Sequence, residues 1–133
     1  MSSQQINDTQ NIEALTSKIS FEIIKEIKNR EKNKKNKYLN LIDKSLGVLT
    51  NNGVYAYYVY IISQQDRNIT NIFLDNLQKI FNLVGQYDAN DKQNYFQSVS
   101  EDITKLLFLK QLLEKVLIYA RYHAKALEGG KDE

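Results

Sequence analysis

EDITKLLFLKQLLEKVLIYARYHAKAL, residues 101–127, is the stretch whose reading decides the fold. On a helix of about 3.6 residues per turn, Leu106, Leu109, Leu113, Val116, Leu117, Ala120, Ala124 and Leu127 share one face. Phe108, Leu112 and Tyr119 widen that face on one side. The apolar arc then covers roughly half the circumference, more than contact with a single neighbour requires. The spacing therefore predicts a central helix from about Glu101 to Leu127, touched by two or more others. Ser100 supplies an N-cap, and Glu101 and Asp102 place negative charge where a helix start favours it.

The rest of the chain extends the helical pattern. Proline is absent from all 133 residues and glycine occurs five times, so the strongest helix interrupters are scarce. Ile12, Leu15, Ile19, Ile23 and Ile27 step by three and four, predicting a first helix over Asn11 to Lys28. Tyr38, Leu41, Ile42, Ser45 and Leu49 predict a second over Lys37 to Leu49, closed by a turn at Thr50 to Gly53. Val54 to Ile62 has strand-like β-branched and aromatic content. It has no second strand to pair with, and a lone strand leaves its backbone unsatisfied, so it is read as helix. Gln64 to Asn68 is a polar connection with Asn68 as N-cap, and one helix runs from Ile69 to Val84 with Gly85 at its end. Tyr87 to Asn94 reads as a polar turn, followed by a short helical segment over Tyr95 to Val99.

The expected architecture is all-α, a compact single-domain bundle of about five or six helices. Residues 1–10 form a flexible N-terminal tail, residues 11–128 the bundle, and residues 129–133 a flexible C-terminal tail. No repeat of a solenoid type occurs.

Composition narrows the chemistry. With no Cys, disulfides, thiolate metal sites and cysteine nucleophiles are excluded. His123 is the single histidine, too few for a zinc site and read as a polar residue of the last helix. Asp88 to Gln93 faintly suggests a calcium loop, but Lys92 and Gln93 stand where a third oxygen ligand and a glycine are needed. Glu101 and Asp102 diverge on a helix and make no carboxylate dyad. Neither a nucleophile elbow nor a glycine-rich phosphate loop is present. The chain is expected to be no enzyme, with no cofactor, no metal and no small-molecule substrate. Lacking both a long apolar run and a secretory leader pattern, it is expected in the cytoplasm and off the membrane.

Binding chemistry remains. Residues 28–37 hold six cations, Lys28, Arg30, Lys32, Lys34, Lys35 and Lys37, against one anion, Glu31. Such a run binds phosphates without fixed geometry, or serves only as a solvated, mobile connector between helices. Lys110, Arg121 and Lys125 share a stripe of the last helix, where Glu114 can pair with Lys110 at i, i+4. Lys44 adds a further cation on the second helix. Tyr55, Tyr57, Tyr58 and Tyr60 cluster after Gly53. They read as core or protein-interface residues, with base stacking as the alternative.

Two segments resemble the small helical subunit family of type III-B CRISPR RNA-targeting effector complexes, the Cmr small subunits. The first runs from Tyr38-Leu39-Asn40-Leu41-Ile42 through Thr50-Asn51-Asn52-Gly53-Val54 to Ala56 and Tyr58. The second runs from Ser98-Val99-Ser100-Glu101-Asp102 to Leu106-Leu107-Phe108-Leu109-Lys110. Val54 stands where a Leu is common and Phe108 where a Trp is common. The resemblance implies a non-catalytic subunit of an antiviral ribonucleoprotein, stacking in copies beside the backbone subunits and helping to bind guide and target RNA. The small subunit of a type III-A complex has the same broad role, and a protein-only helical adaptor is the other reading.

Overall fold

The computed structural model describes the backbone of residues 2–132 and the side chains of residues 12–127. The backbone is helical along nearly its whole course: α1 (Ser2–Lys28), α2 (Lys32–Asn52), α3 (Val54–Ser63), α4 (Arg67–Phe73), a 3-10 turn (Asp75–Leu77), α5 (Gln78–Phe81), α6 (Lys92–Ser100) and α7 (Ile103–Asp132). The protein is a single all-α domain, 83% helical, with no strand among the described residues. The strand-like segment after Gly53 is helix α3, as the missing pairing partner required. Helical backbone also crosses the two segments expected to be tails, whose side chains lie outside the described residues.

The last helix organises the rest. α7 packs along α1 and α2, and also meets α6, α5 and α3. Leu109, Leu112, Leu113, Val116, Leu117 and Ala120 are buried along its middle. The arc narrows toward both ends: Phe108 and Leu127 stay exposed, and Leu106 and Ala124 are half-buried. Opposing them, α1 buries Ile19, Ile23, Ile24 and Ile27, and α2 buries Tyr38, Leu41, Ile42 and Leu49. Each such side chain contributes about 1.5–3 kcal/mol when fully removed from water. Thr16 and Ser20 of α1 are buried too, and their hydroxyls donate to the carbonyls of Glu13 and Ser17 at 3.0 and 2.7 Å, which satisfies them within the helix. On the solvent side, Lys115 and Tyr119 both donate to the Glu13 carboxylate and tie α7 to α1. The Lys115 hydrogen bond, then that of Tyr119, holds the Glu13 carboxyl below its usual pKa.

Three expected boundaries move, each for a local reason. The start of α4 is capped by Asp66 and not by Asn68: its carboxylate accepts from the amides of Asn68 and Ile69 at 2.9 and 3.3 Å. The start of α7 is likewise held by Asp102, which accepts from Thr104 and Lys105 at 3.1 and 3.2 Å, in place of Ser100. The helix expected over Ile69 to Val84 is broken at Leu74, whose φ of −129° and ψ of −69° leave the helical region. Buried tyrosines bond to carbonyls at two helix ends. Tyr57 donates to the Phe73 carbonyl and Tyr95 to the Phe81 carbonyl, both at 2.6 Å. Gly85 does not adopt positive φ and does not cap α5; Asn82 follows that helix instead. Tyr87, expected in a polar turn, is buried and donates to Asp75 at 2.7 Å. With Tyr58, Phe81, Tyr95 and Phe96 it builds an aromatic cluster, in which Tyr58 stacks on Phe96 at 4.4 Å.

The turn expected at Thr50 to Gly53 shrinks to one residue. α2 continues to Asn52, and Gly53 alone, at φ 96° and ψ −176°, redirects the chain into α3. That conformation is open essentially only to glycine. Nothing lies within 4 Å of where a β-carbon would sit at Gly53 or at Gly47, inside α2. Gly53→Ala is therefore expected to destabilise by about 1–3 kcal/mol through backbone strain alone. Gly47→Ala should stabilise by about 0.5–1 kcal/mol. Urea unfolding of the two variants checks the opposite signs.

Burial raises the Tyr57 and Tyr95 hydroxyls well above their ordinary value of 10.0, and burial followed by the Asp75 hydrogen bond does the same to Tyr87. A raised folded-state pKa leaves stability intact below the unfolded value and removes it above. Alkaline titration should keep the helical signal up to about pH 10. Beyond that, tyrosinate absorbance from the buried rings should appear together with loss of helix, and not before it.

Candidate nucleic-acid interface

α1 ends in cations, with Lys25 and Lys28 in its last turn, where a helix C-terminus attracts positive charge. The chain turns through Asn29, Arg30 and Glu31, and the Arg30 amide donates to the Ile27 carbonyl at 3.0 Å. α2 begins at once, so most of the basic run is helix and not a mobile connector. Lysines are good helix formers, no Gly or Pro interrupts them, and buried Tyr38 and Leu41 anchor the following turns.

The electrostatics at this helix start are unusual. Glu31 occupies the N-cap with no side-chain capping bond, and the first turn holds Lys32, Lys34 and Lys35 with no acid. A helix N-terminus carries partial positive charge and favours anions. Lys28 therefore fits the fold, whereas Lys32 and Lys34 act against it.

These residues surround one concavity of about 620 Å³ where the end of α1, the start of α2 and the distal part of α7 meet. Ile24, Ile27, Leu39, Ala124 and Leu127 supply its apolar lining, and Lys28, Arg30, Lys32 and Lys35 its charge. Asn36 adds one amide, and no acidic side chain lines the groove among the described residues. Glu26 stands behind Arg30, 3.5 Å from its guanidinium, and also accepts from Asn76 at 2.6 Å.

The remaining expected cations are placed elsewhere. Lys34 is exposed on the first turn of α2 and is not among the residues that line the groove. Lys37 lies 3.9 Å from Asp66, and Lys44 is exposed further along α2. Lys110 is half-buried, and Glu114 accepts from Thr50 at 3.0 Å. Arg121 pairs with Asp43 at 3.1 Å, joining α7 to α2, while Lys125 is exposed. The α7 stripe thus remains separate from the groove.

The tyrosine cluster is divided. Tyr57 and Tyr58 are buried core residues and cannot serve as an interface, because their rings point into the bundle. Tyr55 and Tyr60 are half-buried, and Tyr55 accepts from Gln93 at 2.7 Å. α3 instead exposes Val59 and Ile62. His123 is half-buried, its ring edge-on to Phe21 at 5.6 Å. No group of three or more potential metal ligands occurs among the described residues, and no described helix is long and apolar enough to cross a membrane.

The apolar floor was not singled out in the sequence as a site. Ile27, Ala124 and Leu127 carry the spacing of core residues, and only the meeting of three helix ends leaves them lining a groove. No family model, curated protein or solved structure matches this chain.

Replacing Lys32 and Lys34 by Glu should stabilise the fold by about 0.3–1 kcal/mol per site at low ionic strength, fading as salt is added. Thermal unfolding checks the sign. A loss of stability would mean that these cations support the fold.

Proposed function

We propose that this chain is a non-catalytic, RNA-contacting subunit of a ribonucleoprotein. The supporting observation is the gathering of Lys28, Arg30, Lys32 and Lys35 around one groove with no acidic side chain in its lining among the described residues. Phosphates are the common ligand for such a set, since cations meet them without a fixed geometry. One of these contributions, Lys32, sits in the first turn of α2, where the helix dipole disfavours a cation, which suits a site selected for binding an anion.

The sequence resemblance suggests the assembly: a type III-B CRISPR effector complex, with guide and target RNA and other subunits, including further copies, as partners. A second observation suits a subunit with protein neighbours. α7 exposes Ile103, Leu107, Ile118 and Tyr122, apolar side chains lying away from its buried arc. A type III-A complex would use the same features. A protein-only adaptor would use the apolar face and leave the cations to solvent.

Binding of single-stranded RNA measured against salt separates these readings. With Arg30 already paired to Glu26, two to three neutralised phosphates give a logarithmic slope of about −1.4 to −2, or roughly 7- to 20-fold weaker binding between about 50 and 200 mM salt. The Lys32→Glu/Lys34→Glu variant should bind at least about tenfold more weakly at low salt, while being at least as stable as the parent. Absence of RNA binding at low salt, by the chain alone and within its assembly, would leave the protein-only adaptor.

A further inference from the structure

We infer that the groove at the α1–α2 junction receives one unstacked nucleobase of the bound strand, adenine by preference, with Asn36 meeting its edge. This rests on the RNA reading above and adds to it. Tracking a phosphate backbone requires only a charged surface. Here the cations accompany an apolar recess, with Leu39, Ala124 and Leu127 its partly exposed apolar lining residues. Leu127 is 39% exposed, so part of that apolar surface faces solvent.

A nucleobase matches this combination in each of its parts. Its faces are apolar and are held by apolar as well as aromatic side chains once it leaves the stack. Its edge is polar, and Asn36 is the one uncharged polar side chain in the lining among the described residues. An amide offers a donor and an acceptor together, the pattern that complements N6 and N7 of adenine. The attached phosphates carry the charge that the surrounding lysines and Arg30 complement. The concavity, about 620 Å³, has room for a nucleobase together with its sugar and phosphate. An acyl chain would fill the floor but leave Asn36 without a role.

The test compares short oligouridine strands differing at one central position: adenosine, uridine or an abasic site. Affinities are measured by fluorescence anisotropy at about 150 mM salt, for the intact chain and for Asn36→Ala and Leu127→Ser. Asn36 and Leu127 are exposed enough for both replacements to leave the fold intact, which circular dichroism verifies. The adenosine strand should bind about tenfold more tightly than the abasic strand. Asn36→Ala should bring adenosine and uridine to equal affinity, and Leu127→Ser should bring adenosine down to the abasic level.

Equal binding of all three strands, still weakened by Lys32→Glu/Lys34→Glu, would overturn the base slot and leave the RNA reading standing. Failure of every strand to bind, even at low salt, would overturn both. Saturable binding of laurate in the groove without base discrimination would assign it to an acyl chain and would also overturn the inference.

Discussion

Burial of the α7 apolar arc is the constraint on which the rest of the structure depends. Leu109, Leu113, Val116, Leu117 and Ala120 are wholly removed from solvent. No single partner helix can cover an arc that wide, so α1 and α2 both lie along it, with α6, α5 and α3 completing the contact. The cover is complete at the middle of α7 and thins toward its distal part. There the cations at the end of α1 and the start of α2 surround apolar side chains that the bundle leaves partly open. The groove is thus a consequence of how three helix ends meet around one core.

Charge gives that groove its character. Among the described residues, most ion pairs elsewhere join elements at the surface, as Arg121 does with Asp43 and Lys37 with Asp66, and such exposed pairs contribute little to stability. The cations at the start of α2 differ, because the dipole of their own helix opposes them. A fold optimised only for stability would extend the acid at the N-cap, Glu31, into the first turn, where lysines stand instead. Positive charge concentrated against its local electrostatic preference, over an apolar floor, is the physical basis for reading the groove as a binding site for an anionic ligand with an apolar part.

Legibility in the sequence followed the range of the interactions involved. The core face of α7 and the identity of α3 were readable, since periodicity and the lack of a pairing strand are properties of the chain itself. The break at Leu74 was not, because the carbonyl of Phe73 is taken by Tyr57, sixteen positions earlier in the chain. The same long-range bonding makes Tyr57, read as core or interface, and Tyr87, read as part of a polar turn, buried donors. Residues 28–37 were readable as basic but not as helical, because charge density masked the good helix propensity of lysine. The cations of the site were therefore visible and its floor was not. Ile27 and Leu127 look like any core residues until the helix ends are placed.

The central claim, that RNA is held where α1 passes into α2, is tested most directly by ultraviolet cross-linking of a bound single strand followed by mass spectrometry of the attached peptides. The account predicts nucleotide adducts concentrated on peptides spanning residues 24–39 and on the α7 peptide that contains Ala124 and Leu127. Adducts confined to the Lys110 and Arg121 stripe of α7, or to the α3 surface at Tyr55 and Tyr60, would contradict it.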